Sequence, residues 1–191
     1  MRALGIDPGT RVAGWGVVET AGGRFRHVAS GTIALSARAS TAARLAALHA
    51  GVGELLAAWT PAAVALERNF VAHNVQSAFR IGEARGAVLA AVAAADVPVH
   101  EFTPAEVKQA AVGHGRADKD SMVRGVTAIL ALPAPPPADA ADGLALALCW
   151  LQQAPLRAAL ARADAAARGG TTPGIPGRRN AMPGLAGRPR T

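Results

Sequence analysis

Four acidic side chains stand in surroundings that are otherwise apolar. Asp7 ends the short apolar stretch that begins at Leu4, and Glu67 ends the apolar stretch AAVAL. Asp139 and Asp142 stand three residues apart at the start of a further apolar stretch, so both project from one face of a helix. Carboxylates about 4 Å apart repel one another by roughly 1 to 4 kcal/mol per pair, so a cluster of four requires compensating charge.

Two divalent cations would supply that charge, and hard oxygen ligands favour Mg²⁺ or Mn²⁺ over zinc. Two such ions can activate a water molecule and stabilise the leaving oxygen in phosphodiester hydrolysis. Simpler explanations exist for single acids: Asp139 and Asp142 could complement a helix dipole, and Asp7 could be a turn residue. Glu67 is harder to explain in this way, because an acid that follows five apolar residues needs a partner. Together the four favour a metal site.

The apolar periodicity predicts an α/β fold that brings these acids together. Strands are predicted at 2–7, 12–20, 24–35, 62–67 and 97–102, and helices at 41–59, 73–95, 104–111, 118–130 and 138–152. The first three strands, joined by short turns, form an antiparallel meander. A right-handed crossover then lays the fourth strand parallel to the first. Asp7 and Glu67 are therefore expected at one edge of a mixed sheet, where open α/β sheets keep their sites.

Composition predicts one domain and a tail. With 191 residues, of which 51% are hydrophobic, the chain can bury one substantial core. We expect a domain at 1–153 and a disordered tail at 154–191 that is rich in Arg, Gly and Pro. The net charge is +7, and residues 152–191 contribute +6 of it through seven Arg and one Asp. Such a tail could contact a polyanion or could simply aid solubility.

The single cysteine, Cys149, excludes an internal disulfide framework and fits a reducing cytosol. The apolar stretches are short and rich in Ala, and no charged leader precedes an apolar segment at Met1. We therefore expect a cytoplasmic protein that has no membrane partner.

Five sequence blocks carry a family resemblance: GIDPGT, ALERNF, NVQSAFRIGEARG, PAEVKQAAVGHGRADK and PADAADGLALALCW. In this order they resemble the RuvC-type Holliday junction resolvases of the ribonuclease H-like superfamily, over about residues 2–152. The resemblance implies a five-stranded mixed sheet flanked by helices. It also implies a homodimeric endonuclease that resolves four-way DNA junctions by paired symmetric nicks, in homologous recombination and DNA repair. Its expected partners are junction DNA and a branch-migration complex of RuvA and RuvB type proteins.

The resemblance also implies roles for particular residues. The catalytic and metal-binding acids would be Asp7, Glu67, Asp139 and Asp142, holding two Mg²⁺ per subunit, with Mn²⁺ as a substitute. Residues expected to contact DNA are Lys108, Lys119, Phe70, Arg68 and Arg80. The composition also distinguishes the two lysines, because the other 18 of the 20 basic residues are Arg. Phe70 would hold opened bases, although without the resemblance it would be interpreted as a core residue.

Several points remain open in the sequence. A stripe containing Val75, Phe79, Gly82, Gly86 and Leu89 could pack on the sheet or form a dimer interface. Gly143 and Trp150 depart from the family pattern, and Gly143 lowers helix propensity by roughly 1 kcal/mol. Two other functions compete with nuclease activity. One is a non-catalytic junction-binding module, and the other is an actin-like ATPase or kinase fragment, suggested by GIDPGT.

Overall fold

The computed structural model describes residues 1–68 and 75–169, with side chains described up to residue 165. The strands are β1 (Arg2–Asp7), β2 (Val12–Ala21), β3 (Arg24–Ala34), β4 (Ala63–Glu67) and β5 (Val99–Phe102). The helices are α1 (Thr41–Trp59), α2 (Val75–Ala94), α3 (Pro104–Val112), α4 (Lys119–Ile129) and α5 (Ala138–Gly169). Residues Met1–Leu156 form one compact unit, which contains the whole sheet.

Within the described residues, the strands form one mixed sheet in the order β3-β2-β1-β4-β5. Strands β1, β2 and β3 are antiparallel neighbours, whereas β4 is parallel to both β1 and β5. This arrangement confirms the predicted meander and the predicted crossover. The carboxyl ends of β1, β4 and β5 consequently lie at one edge of the sheet.

Helices cover both faces of this sheet. On one face, α1 and α2 bury the larger side chains of the central strands, including Leu4, Ile6, Val17, Val64 and Leu66. On the other face, α3, α4 and α5 pack against small strand residues such as Ala3, Ala63 and Ala65. The alternation of large and small residues along β1 and β4 thus determines which face can accept a close helix.

The close helix is α5, which lies directly on the backbone of β1 and β2. Glycines at Gly5, Gly14 and Gly16 make this possible: a Cβ atom at each would come within 2.6 Å of the α5 backbone. Gly143 does the same from the helix side, since its Cβ would lie 2.5 Å from the Trp15 backbone. The departure at Gly143 therefore has a packing reason: the absence of a side chain permits this close contact, at the cost of some helix propensity.

The end of α5 differs from the prediction. The sequence predicted that the last helix stops near Gln152, but the helix continues through Pro155 to Gly169. The segment after Pro155 is rich in Ala, Leu and Arg, which are strong helix formers and offset the backbone hydrogen bond that a proline removes. Of the disordered tail predicted at 154–191, residues 154–169 are therefore helical, and residues 170–191 lie outside the described residues.

Helix α5 is also apolar enough to resemble a membrane span by length and composition. An 18-residue window within Ala138–Ala165 has a mean hydropathy of 1.2. However, the side chains from Leu144 to Leu151 are buried in the protein core. A buried core helix therefore accounts for this composition.

Candidate active site

Adjacent parallel strands bring the first two acids together. Ile6 of β1 is paired with Leu66 of β4, so the residues that follow, Asp7 and Glu67, end neighbouring strands. Neighbouring strands lie about 4.8 Å apart, which places both carboxylates at one sheet edge. The prediction that Asp7 and Glu67 share this edge is confirmed.

The start of α5 brings the other two acids to the same place. Three prolines, Pro135 to Pro137, end immediately before the helix begins at Ala138. The carbonyl oxygen of Asp139 lies 1.8 Å from the position that a Cβ on Gly14 would occupy. Gly14 is the strand partner of Asp7, so the first turn of α5 lies directly over the end of β1.

The pKa values show that the four carboxylates act on one another. The pKa of Asp7 is raised to about 6, first by burial and then by the charges of Asp142, Glu67 and Asp139. Burial and Asp142 raise the pKa of Glu67, while Lys108 opposes that shift. Burial also raises the pKa of Asp142, where Lys119 acts in the opposite direction. The site therefore concentrates negative charge, and the two nearby lysines compensate only part of it.

Among the described residues, Lys119 forms ion pairs with two acids of this cluster. Its Nζ lies 3.7 Å from Asp139 Oδ1 and 3.6 Å from Asp142 Oδ2. The lysine side chain is 58% exposed, and that of Asp139 is 45% exposed, so this bridge faces solvent. A solvent-facing ammonium can exchange its carboxylate contacts for phosphate oxygens at little cost.

Two clefts meet at the acids. A cleft of about 480 Å³ is lined by Asp7, Glu67, Asp142 and residues of the β1–β2 turn and α2, among them Thr10, Ser77 and Arg80. A second cleft of about 220 Å³ is lined by Glu67 and Asp142 together with Lys108 and Lys119. The structure thus brings both predicted lysines and Arg80 to the acid cluster.

Arg68 has a different environment from the one expected. Its Nε lies 3.7 Å from Glu101 Oε2 on β5. Arg85 of α2 contacts the other oxygen of Glu101 and also donates a hydrogen bond of 2.7 Å to the carbonyl of Glu67. Arg85 therefore fixes the strand end that carries Glu67. The sequence analysis missed Arg85, because a single sequence does not distinguish it from an exposed helix arginine.

The donor set suits a hard divalent cation, because it consists of carboxylate oxygens and lies beside a cleft. The raised pKa values of Asp7, Glu67 and Asp142 indicate that added positive charge would be favourable there. Among the described residues, no three acidic, His or Cys side chains already stand close enough together to hold an ion. Phe70 lies outside the described residues.

The sequence and the fold are matched by known proteins. The sequence profile of the family described as "Crossover junction endodeoxyribonuclease RuvC" matches residues 3–150. The chain belongs to the RuvC family. The crossover junction endodeoxyribonuclease RuvC of Alkalilimnicola ehrlichii is 49% identical over 164 residues, covering 86% of this chain and 99% of that protein. The resemblance predicted from the sequence blocks is confirmed.

Solved structures agree with this assignment. The RuvC structure from Thermus thermophilus has a TM-score of 0.74 and is 38% identical, with 82% of this chain and 96% of that chain covered. The T. thermophilus RuvC in complex with a Holliday junction substrate also has a TM-score of 0.74. It is 39% identical and covers 78% of this chain and 92% of that chain. The ribonuclease H-like mixed sheet is thus confirmed, and an actin-like ATPase or kinase fragment is set aside.

Proposed function

We propose that this protein is an endonuclease that resolves four-way DNA junctions by metal-dependent hydrolysis of phosphodiester bonds. The observation that carries the proposal is the cluster of four carboxylates at the sheet edge of a RuvC-family fold. The junction complex of the T. thermophilus relative supports the choice of substrate. A protein that only binds junctions gains nothing from carboxylates at this position, because carboxylates repel phosphates.

The acids would hold two Mg²⁺ per subunit, for which Mn²⁺ can substitute. Asp7 and Glu67 would provide ligands from the sheet edge, and Asp139 and Asp142 from α5. When bound, the ions supply an activated water and stabilise the leaving oxygen. The backbone contact at Gly14 fixes α5 relative to the sheet edge, so the four carboxylates stay close to one another.

Cations around the acids would bind the substrate phosphates. Lys119 can exchange its contacts with two carboxylates for a contact with a phosphate oxygen. Lys108 lines the same 220 Å³ cleft as Lys119. Arg80 lines the first cleft and would contact the backbone on the other side. Arg68 is held by Glu101, so any phosphate contact would require it to leave that carboxylate. Phe70 would stack on opened bases, as the family resemblance implies.

Paired symmetric nicks require two active sites, and a homodimer would supply them. The stripe on α2 supports this arrangement. Val75 and Phe79 are 72% and 70% exposed, and a Cβ at Gly82 or Gly86 would meet no atom within 4 Å. The helix packs on the sheet through Ala84, Val88, Ala91 and Val92, and Leu89 at the end of the stripe also contacts this core. The exposed stripe residues from Val75 to Gly86 favour a dimer interface.

Two further parts of the proposal follow from the family resemblance. RuvA and RuvB type proteins would present the junction to the nuclease. The expected place of action is the cytoplasm, where junction DNA is accessible in a bacterial cell. Pull-down of a RuvB-type protein on immobilised junction DNA, with and without this chain, tests the first of these.

The central experiment compares a synthetic four-way junction with a linear duplex of the same sequence in Mg²⁺. We expect paired nicks at symmetric positions in the junction alone.

Asp7→Asn should abolish cleavage but leave junction binding intact, because it removes a metal ligand and no DNA contact. If Asp7→Asn still cut the junction, the site assignment would be wrong. Binding by the wild-type protein without any metal-dependent nicking would instead favour a non-catalytic module.

A further inference from the structure

Cations border the acid cluster on two sides. Lys108 and Lys119 line the cleft towards α3 and α4, and Arg80 lines the cleft towards α2. The two clefts share Glu67 and Asp142, so together they form one groove that crosses the acids. A polyanion placed in this groove would meet positive charge before and after the carboxylates.

The groove continues beyond Arg80. A shallow depression shares Gly9, Thr10 and Arg80 with the first cleft, and Arg44 in the first turn of α1 also lines it. Arg11 follows Thr10 directly in the chain and is exposed. We call Arg11, Arg44 and Arg80 the arginine shoulder. One acid, Glu83 of α2, also lines the depression and reduces its positive charge.

The arginines of the shoulder differ from Arg2, Arg26, Arg68 and Arg85, which each contact a carboxylate. In the part of the chain that the structure describes, none of the three forms an ion pair with an acid. At the opposite end of the sheet, Arg2 and Arg26 both pair with Glu19, at 3.2 and 3.7 Å. Arg24, near the same end as Arg2 and Arg26, also has no ion pair among the described residues. The shoulder is therefore distinguished by its position beside the acid cluster together with its lack of a carboxylate partner.

Guanidinium groups without carboxylate partners are well suited to phosphate oxygens, which they bind with two parallel hydrogen bonds. We propose that the arginine shoulder binds the phosphate backbone of the duplex arm that leaves the acid cluster. The cut strand would run from the lysines across the carboxylates to Arg80, and then to Arg11 and Arg44. This inference rests on the proposed function, because it takes junction DNA as the ligand.

The test measures junction affinity against salt concentration in EDTA, where no cleavage occurs. For the full-length chain carrying both Arg11→Gln and Arg44→Gln, we expect the slope of log K against log salt to fall in magnitude by about 1.8, or about 0.9 per lost phosphate contact. The matched control is Arg24→Gln, an exposed arginine beside the β2–β3 turn at the far end of the sheet. This control should leave the slope unchanged.

Arg44→Lys tests whether the positive charge at this position determines the slope. This variant retains a cation and should keep most of the wild-type slope. Arg44 also donates a hydrogen bond of 3.3 Å to Thr41, so circular dichroism should confirm that the Gln variants fold. An unchanged slope in the folded Arg11→Gln/Arg44→Gln protein overturns the inference, even when the protein still cuts junctions. Failure of the wild-type protein to bind or cut junctions overturns the proposed function instead.

Discussion

Substitution of Gly14 by alanine tests whether helix packing positions the active site. The new Cβ would lie 1.8 Å from the carbonyl oxygen of Asp139 and 2.4 Å from its carbonyl carbon. Cβ contacts below 3.0 Å are essentially never found, so β2 and α5 must separate by about 1.2 Å. Both neighbours are backbone, and no side-chain rotation can relieve the contact.

Two effects should follow from that separation. Overpacking of this kind typically costs about 1 to 3 kcal/mol of stability. In addition, Asp139 and Asp142 would move away from Asp7 and Glu67, and a displacement of about 1 Å at a catalytic group can reduce the rate about 100-fold. Urea unfolding measures the first effect, and the single-turnover cleavage rate of a synthetic junction at a temperature where the variant is folded measures the second.

Gly53→Ala is the matched control, because the same methyl group would meet no atom within 4 Å on α1. It should raise stability by up to about 1 kcal/mol, since alanine favours the helix, and should leave cleavage unchanged. Junction binding in EDTA should be similar for Gly14→Ala and wild type. Wild-type stability and cleavage rate in Gly14→Ala would refute the idea that backbone contact between α5 and β2 positions the acids.

Three further predictions concern other parts of the site and its support. Asp7→Asn should stabilise the protein in EDTA near pH 8 by at most about 3 kcal/mol, measured by urea unfolding. The pKa of Asp7 rises from 3.8 to about 6 on folding, so its destabilising effect develops between these values and vanishes below pH 3.8. Arg85→Lys should increase the Mg²⁺ concentration for half-maximal cleavage, with unchanged junction affinity in EDTA, because lysine cannot contact both Glu67 and Glu101. Thr103→Ala should cost about 1 kcal/mol in urea unfolding, because it removes a capping box at α3.

Much of the site could be predicted because its determinants are local. Asp7 and Glu67 each end an apolar strand, and the period of the pattern identifies both strands without knowledge of their neighbours. The prolines before Ala138 fix where α5 begins, and that start determines where Asp139 and Asp142 project. The crossover rule then places the two strand ends side by side.

Contacts between distant parts of the chain could not be predicted in this way. Gly143 was interpreted as a loss of helix propensity, and only the structure shows that it meets the backbone of Trp15. Arg85 reaches Glu67 across 18 positions of sequence, and nothing in its own helix reveals that partner. Local helix propensity does explain why α5 extends through Pro155. The extension was not predicted, because residues 154–191 were interpreted together as one tail rich in Arg, Gly and Pro.

The glycine contacts and the repulsion among the carboxylates have the same structural cause, which is the close packing of α5 on the sheet. Close packing at Gly5, Gly14 and Gly16 brings the start of α5 onto the sheet edge and so forces the acids together. Burial and, after it, the charges of the neighbouring acids raise the pKa of Asp7. A looser α5 would relieve the repulsion but would separate the four carboxylates that we propose as metal ligands. The contact between α5 and the sheet is made by backbone atoms, which cannot rearrange as side chains can, so it holds the acids together against their repulsion.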